Sequence, residues 1–196
     1  MVNGRLLCPV RCFLGKPVLF RQQRSGHNRR PFTIFKFRTM TDARDACGAL
    51  LPDSRRLTWF GRMLRLSSLD ELPELFNVLK GDMSLVGPRP LLPQYDSYYS
   101  EEELRRFEVL PGITGWAQIN GRNELLWDDR LGCDIWYARV YTFAMDLKIL
   151  VLTVVKVLGR NNIQPDPGAT FGPLDEERRR RAAVEMTTAN GSEPAV

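Results

Sequence analysis

The sequence of 196 residues lacks the features of several common kinds of site. It has one histidine and four scattered cysteines with no CxxC pair, so a zinc site is not expected, and the cysteines indicate free thiols in a reducing compartment. It has no phosphate-loop or dinucleotide-binding glycine motif, and no apolar run reaches the ~20 residues that span a bilayer. Because no helix-turn-helix, RNA-recognition or zinc pattern is visible, nucleic acid is not expected as a partner.

What the sequence does contain is the composition of one globular domain with a basic surface. The net charge of +5 suits anionic partners, such as phosphorylated small molecules or an acidic membrane face. We expect an α+β fold: a mostly helical single domain with a small β-hairpin, long ordered loops and interfacial amphipathic helices.

This domain is expected over residues 17–173. The segment before it, residues 1–16, is atypical: it is short, basic and interrupted by proline, and it resembles neither a signal peptide nor a membrane anchor. The segment after it, residues 174–196, is expected to be a charged, flexible tail with room for a short helix at its start.

A β-hairpin is predicted near the start of the domain. The β-prone runs Val18–Gln22 and Phe32–Phe37 flank a polar, basic connection that contains glycine. Lys36 and Arg38 alternate with phenylalanines, so one face of the second strand would be basic. Both a solvated edge strand and an anion-binding face are consistent with this pattern.

The segment RLSSLDELPELFNVLKGDMSLVGPRP contains the charged residues that are the strongest candidates for a functional site. Ser68 followed by Glu71 predicts a capping box, which places Asp70 and Glu71 in a first helical turn. Acidic residues there are commonly simple caps, but Pro73 should bend the helix and form a pocket wall. The helix dipole should lower the pKa of Asp70. The expected buried face of this helix consists of Leu69, Leu72, Phe76 and Leu79.

Two arginines flank these carboxylates. Arg65 precedes them on a short predicted helix, and Arg89 follows them between two prolines that restrict the backbone on both sides. A rigidly held guanidinium suits a bidentate phosphate contact, whereas the local sequence alone fits a plain turn equally well.

The second half of the chain predicts three more helices. Ser100 and Glu103 form a second capping-box pattern. Leu125–Tyr141 is an aromatic-rich helix in which Asp134 is the acid expected near the apolar face. Thr142–Leu158 is either a core helix or a helix in the membrane interface. Between the first two lies a glycine-rich loop, LPGITGWAQINGRN, that contains Arg122.

A family resemblance is carried by four long segments in order: FKFRTM, SSLDELPELFNVLKGDMSLVGPRPLL, LPGITGWAQINGRN and YTFAMDLKILVLTVVKVL. The chain resembles the bacterial sugar transferases that start glycan assembly on a polyprenyl phosphate, and most closely the small monotopic, PglC-like phosphoglycosyl transferases. The resemblance runs from about Pro17 to Phe171.

This resemblance implies transfer of a phospho-sugar from a UDP-sugar to undecaprenyl phosphate, with Mg²⁺, at the cytoplasmic face of the bacterial inner membrane. Asp70 would be the nucleophile, forming a covalent phospho-sugar intermediate with release of UMP. Glu71 would be its partner and a ligand of Mg²⁺. The residues that it places around the phosphates are Lys36, Arg38, Arg65, Arg89 and Arg122.

The sequence departs from the family pattern at its N-terminus. Family members carry a hydrophobic helix-break-helix anchor before the segment that corresponds to PVLFRQ, and residues 1–16 do not match it. The alternative hypothesis is therefore a catalytically silent relative that binds a nucleotide-sugar or a partner protein. The choice of UDP-sugar and of glycan pathway stays open. A membrane lipid surface is an expected partner, and a homodimer is left open.

Overall fold

The computed structural model of this chain describes residues 4–121, 125–159 and 172–190. These ranges contain eight helices and four strands, so the expected α+β class is confirmed. The helices are α1 (Gly4–Leu14), α2 (Asp53–Arg56), α3 (Trp59–Leu66), α4 (Glu74–Lys80), α5 (Trp116–Asn120), α6 (Trp127–Val140), α7 (Phe143–Gly159) and α8 (Leu174–Asn190). The strands are β1 (Leu19–Ser25), β2 (Pro31–Phe37), β3 (Ser84–Val86) and β4 (Gly112–Thr114).

The predicted hairpin is confirmed. β1 and β2 pair antiparallel, with Leu19 opposite Phe37 and Ser25 opposite Pro31, and a 3-10 turn at His27–Arg29 connects them. β2 alternates a buried Ile34 with more exposed neighbours, and Phe37 at its end is fully buried. The hairpin therefore supplies a fixed edge against which the carboxylate segment packs.

A second, parallel sheet joins two segments that the sequence suggested were loops. β3 pairs with β4, so that Ser84 lies opposite Gly112 and Val86 opposite Thr114. The two backbones approach so closely that a Cβ added to Gly112 would lie 2.1 Å from the nitrogen of Gly87. Glycine is required at this crossing because any side chain would collide with main-chain atoms.

The N-terminal segment packs as a helix on the core. Val10 and Leu14 of α1 are buried in a cluster with Phe37, Phe60 and Leu64. This cluster joins α1, β2 and α3, and Leu69 packs against it from the carboxylate segment. The start of the carboxylate turn is thus anchored by apolar contacts.

The expected buried face of α4 is wrong. Leu72 and Phe76 are about two-fifths exposed and Leu79 is 84% exposed, whereas the inward side chains are those of Glu74 and Asn77. The prediction of the inner face rested on apolar spacing alone. In the structure the polar side chains face inward because their partners lie on β2. α4 therefore presents its apolar side outward.

α7 is not a core helix. Ile149 is its fully buried residue, packed with Val86, Ile119 and Tyr137. Phe143 and Leu158, near its two ends, are each more than three-quarters exposed. Of the two interpretations of this segment, the core helix is contradicted by this exposure, and the helix in the membrane interface stays a prediction. Among the described residues, no helix combines the length and the apolarity needed to cross a bilayer.

The C-terminal segment contains a longer helix than the short one expected, since α8 extends to Asn190. Leu174 at its start is fully buried in a cluster with Leu91, Tyr95 and Trp127. The second capping box is confirmed, since the Ser100 and Glu103 side chains each accept a hydrogen bond from the other residue's backbone N–H.

Candidate active site

Asp70 and Glu71 lie in a 3-10 turn, Leu69–Glu71, that precedes α4. The predicted capping box at Ser68 is wrong: Ser68 has a positive φ of 54° and its side chain makes no capping hydrogen bond. A left-handed serine is uncommon, and it reverses the chain sharply between α3 and the turn. α4 itself begins after Pro73, whose fixed φ suits a helix start.

Glu71 is held by two cations. Its Oε1 accepts from Lys36 Nζ at 2.6 Å and from Arg89 Nη2 at 2.5 Å. Burial alone would raise the pKa of Glu71, but the charges and hydrogen bonds of Arg89 and Lys36 lower it well below its usual range. The Arg89 pKa is raised in turn, chiefly by Glu71. Glu71 is therefore ionised throughout the physiological range.

Asp70 is treated differently by its surroundings. Its residue is 9% exposed, and in the described part of the chain its carboxylate takes part in no hydrogen bond or ion pair. Burial and the neighbouring charge of Glu71 raise the pKa of Asp70 to about 6, against the opposing charges of Lys36, Arg89 and Arg65. The expectation of a lowered pKa is wrong because the turn buries the carboxylate without giving it backbone donors. Asp70 therefore has no hydrogen-bond or ion-pair partner in the described chain, and its ionised form is destabilised relative to the protonated form.

Arg65 and Arg38 lie differently with respect to this turn. Arg65 donates from Nε to Thr39 Oγ1 at 3.0 Å, and its charge acts on Asp70. Arg38 donates from Nε to Met40 O at 2.7 Å and from Nη1 to Lys16 O at 2.8 Å, and it pairs with Asp42. These bonds hold the backbone beside the hairpin, and they do not reach the two carboxylates.

Lys36 on β2 and Arg89 on the loop after β3 both form ion pairs with Glu71. The contact with substrate phosphates that the resemblance implies for them stays a prediction. Arg122 falls outside the described residues, so its placement stays a prediction. The structure therefore gathers Lys36, Arg65 and Arg89 around the pair Asp70 and Glu71.

Two inward residues of α4 complete the wall, and sequence reasoning missed both. Asn77 is fully buried; its Nδ2 donates to Thr33 O at 2.7 Å and its Oδ1 accepts from Phe35 N at 3.2 Å. Glu74, 1% exposed, has Oε1 3.1 Å from Lys36 Nζ, without the alignment of a hydrogen bond. Burial raises the pKa of Glu74 to about 7. Glu74 and Asn77 lie three and six residues after Glu71, and this spacing was the signal that could have identified them.

Arg130 on α6 is a further cation that the sequence did not single out. Its Cζ lies 5.1 Å from the centroid of the Trp127 ring. Burial and the nearby charge of Arg89 lower the pKa of Arg130 to about 10. Among the residues that the structure describes, no carboxylate pairs with it. The surplus positive charge next to Arg89 favours an anionic ligand.

Asp70 and Glu71 are the residues of this turn that could hold Mg²⁺ if further ligands came from outside the described chain. No group of three or more His, Cys, Asp or Glu side chains that could hold a metal is found in residues 4–121, 125–159 and 172–190. Mg²⁺ commonly takes only one or two carboxylates and completes its shell with water and substrate phosphates. The uncommitted carboxylate of Asp70 and the second oxygen of Glu71 are hard ligands of that kind.

Comparisons with known proteins agree on one family. The model of the family described as bacterial sugar transferase matches residues 6–160. The chain is 59% identical over 155 residues to the uncharacterized sugar transferase EpsL of Bacillus subtilis, covering 79% of this chain and 77% of that protein.

Two further relatives have names that state a reaction. The chain is 45% identical over 156 residues to the UDP-glucose:undecaprenyl-phosphate glucose-1-phosphate transferase of Xanthomonas campestris pv. campestris, covering 74% of this chain and 32% of that protein. It is 38% identical over 164 residues to the undecaprenyl-phosphate galactose phosphotransferase of Salmonella typhimurium, covering 75% and 34%. The chain thus spans about a third of the length of these two relatives.

Proposed function

Because this chain belongs to the bacterial sugar transferase family, we propose that it is a phosphoglycosyl transferase that moves a sugar 1-phosphate from a UDP-sugar to undecaprenyl phosphate. The observation that carries the proposal is the contrast between two adjacent carboxylates. Glu71 is fixed by two cations, whereas Asp70 is buried, next to the same cations, and bonded to nothing in the described chain. That contrast suits one structural acid and one reacting acid.

The reaction would proceed through an aspartyl intermediate. An ionised oxygen of Asp70 attacks the β-phosphorus of the UDP-sugar, and the bond from that phosphorus to the bridging oxygen breaks. UMP leaves with the electron pair, and the phospho-sugar stays on Asp70 as an acyl phosphate. An oxygen of polyprenyl phosphate then attacks the same phosphorus, which returns the Asp70 carboxylate and releases the polyprenyl diphosphate sugar.

The surrounding charges answer the main obstacle to this chemistry, the repulsion between a carboxylate and a diphosphate. Lys36, Arg65 and Arg89 place three positive charges close to the two carboxylates. Asp70 and Glu71 would hold Mg²⁺, which neutralises charge on phosphate oxygens when it is bound. Burial keeps Asp70 poorly solvated and so more reactive once it is ionised, since less water must be displaced before attack.

A membrane surface is the partner that suits the outward apolar residues, because the acceptor is a lipid. Exposed large side chains lie on the helix that follows the site and on α7. The most exposed are Leu79, Phe143 and Leu158. Exposed apolar side chains on surface helices favour burial in a membrane interface. In this proposal the membrane is the bacterial inner membrane, and the protein lies on its cytoplasmic side.

The proposal is tested by release of UMP from UDP-glucose, UDP-galactose and N-acetylated UDP-sugars, with undecaprenyl phosphate and Mg²⁺ in detergent or lipid. We expect release with at least one donor, loss of release on chelation of Mg²⁺, and loss in Asp70→Asn. Asp129→Asn, an exposed acid of α6, is the matched control and should keep full activity. Binding of the nucleotide-sugar without turnover in lipid would favour the silent relative, and full activity of Asp70→Asn would contradict the mechanism.

A further inference from the structure

The loop that carries Arg89 is fixed at every carbonyl group. The four consecutive carbonyls of residues 88–91 each accept a hydrogen bond, and the donors come from three different parts of the fold. The donors are, in chain order of the carbonyls, Gly112 N (3.0 Å), Arg106 Nη2 (2.7 Å), Arg24 Nη1 (3.5 Å) and Ser25 N (3.0 Å). Of these, Arg106 alone bonds the carbonyl of Arg89 itself. The carbonyl of Arg89 is therefore held by a side chain that has no place in the mechanism above.

Arg106 is itself fixed by a buried acid. Its Nε and Nη2 both donate to Asp134 Oδ2, at 3.1 and 2.7 Å, and the two residues are 3% and 2% exposed. Its Cζ lies 5.7 Å from the Tyr99 ring centroid and 5.1 Å from that of Phe107. One guanidinium thus bridges α6 to the Arg89 loop.

A buried ion pair of this kind adds little to the net stability of a fold. Desolvation of two charges offsets most of their attraction, so that apolar replacements of buried ion pairs are often neutral or stabilising. The pair does fix the orientation of the Arg106 guanidinium. Because this group is planar and donates two hydrogen bonds to Asp134, the direction of its remaining Nη2–H bond is also fixed. That bond points to the Arg89 carbonyl, and the Arg89 side chain ends 2.5 Å from Glu71.

We propose that Arg106, held by Asp134, is a positioning residue that fixes the main chain of Arg89 and so keeps the Arg89 guanidinium on Glu71. The inference rests on the proposed phosphoglycosyl transferase function for its kinetic consequence. The contact that it describes can be tested without any turnover. Asp134 was expected near the apolar face of its helix, and its burial against Arg106 gives that acid a role.

The informative variant is Arg106→Lys, with the exposed neighbour Arg105→Lys as its matched control. Lysine keeps the charge and can pair with Asp134, but a single ammonium lacks the planar fork that bonds Asp134 and Arg89 O together. Three quantities are measured in each protein: the thermal midpoint, kcat and KM for UMP release, and the nuclear magnetic resonance signal of the Arg89 side-chain Nε–H without substrate.

We expect Arg106→Lys to move the Arg89 signal and to lower kcat roughly 10- to 100-fold with a smaller change in KM, because misplacement of about 1 Å has costs of this size. Arg105→Lys should change neither. In an Arg89→Gln background Arg106→Lys should cause little further loss, since it acts through Arg89. If Arg106→Lys does not fold, Asp134→Asn replaces it, with the same expected movement of the signal.

An unmoved Arg89 signal, or an equal loss of kcat with and without Arg89, would overturn the positioning role. Failure of the proposed function looks different. A folded wild-type protein that releases no UMP from any donor would contradict the reaction, while the Arg89 signal would still decide whether Arg106 positions Arg89.

Discussion

Replacing Asp70 by asparagine should make the protein more stable at neutral pH. Burial and the charge of Glu71 raise the pKa of Asp70 from 3.8 to about 6, which means that the folded state disfavours the ionised side chain. Asparagine has nearly the same shape and no charge. Burying the ionised Asp70 side chain lowers the free energy of unfolding. Asp70→Asn removes the charge and should therefore restore that free energy.

The size of the gain follows from the pKa. One pKa step corresponds to about 1.4 kcal/mol, so a rise from 3.8 to about 6 corresponds to about 3 kcal/mol as an upper value. A carboxyl group whose folded pKa is raised binds its proton more tightly in the folded state, so wild-type stability falls as pH rises from about 4 to about 6. The advantage of Asp70→Asn should be complete above about pH 6 and absent below about pH 4.

The assay is urea unfolding of wild type and Asp70→Asn at pH values from 4 to 8, in one detergent, with Asp129→Asn on the exposed side of α6 as the control. The expected result is a difference in unfolding free energy that grows with pH for Asp70→Asn and stays flat for the control. An Asp70→Asn protein no more stable than wild type at pH 8, or a difference independent of pH, would refute the assignment of a destabilised carboxylate.

Three further results are expected. The kcat/KM for UMP release should fall as pH decreases through about 6, because protonated Asp70 cannot attack; a flat profile from pH 5 to 8 would contradict this. Asn77→Ala should lower the free energy of unfolding by about 1–3 kcal/mol, since it leaves two partly buried backbone groups of β2 without their partner, and urea unfolding should show less than 1 kcal/mol for the exposed Asn120→Ala. Leu79→Ser should weaken binding to phosphatidylglycerol vesicles roughly tenfold, whereas Leu50→Ser, in a loop before α2, should not; equal binding would remove Leu79 from the membrane surface.

Much of the local structure could be predicted from the sequence, because the spacing of apolar residues and the residue types at turns and caps determine structure over a few neighbouring residues. The hairpin, the capping box at Ser100 and the aromatic-rich α6 all depend on neighbouring residues alone. The family resemblance marked Lys36, Glu71 and Arg89 as site residues, but the pairing of Glu71 with the two cations was not predicted, since no local rule joins residues 35 and 18 positions apart.

The buried face of α4 was predicted wrongly because apolar spacing does not tell which side of a helix faces the protein. On α4 the polar groups face inward because Thr33 O, Phe35 N and Lys36 provide partners there, and the leucines turn outward. The pKa of Asp70 was misjudged for a related reason. A helix N-terminus was expected to offer it donors, but the left-handed Ser68 makes a 3-10 turn instead.

The second sheet and the buried bridge from Asp134 to Arg89 were out of reach for a different reason. β3 and β4 are three residues each, and their pairing depends on a glycine crossing between distant segments. Arg106 has the same local sequence signals as exposed Arg105, and only the tertiary fold separates the two.

The central feature of the proposed reaction is a phospho-sugar bound covalently to Asp70. Mass spectrometry of the wild-type protein, incubated with a UDP-sugar and Mg²⁺ but no polyprenyl phosphate and quenched in acid, should find the peptide containing Asp70 heavier by one sugar phosphate. Addition of undecaprenyl phosphate should remove that mass. Turnover without this adduct, or an adduct on a different residue, would contradict the central claim.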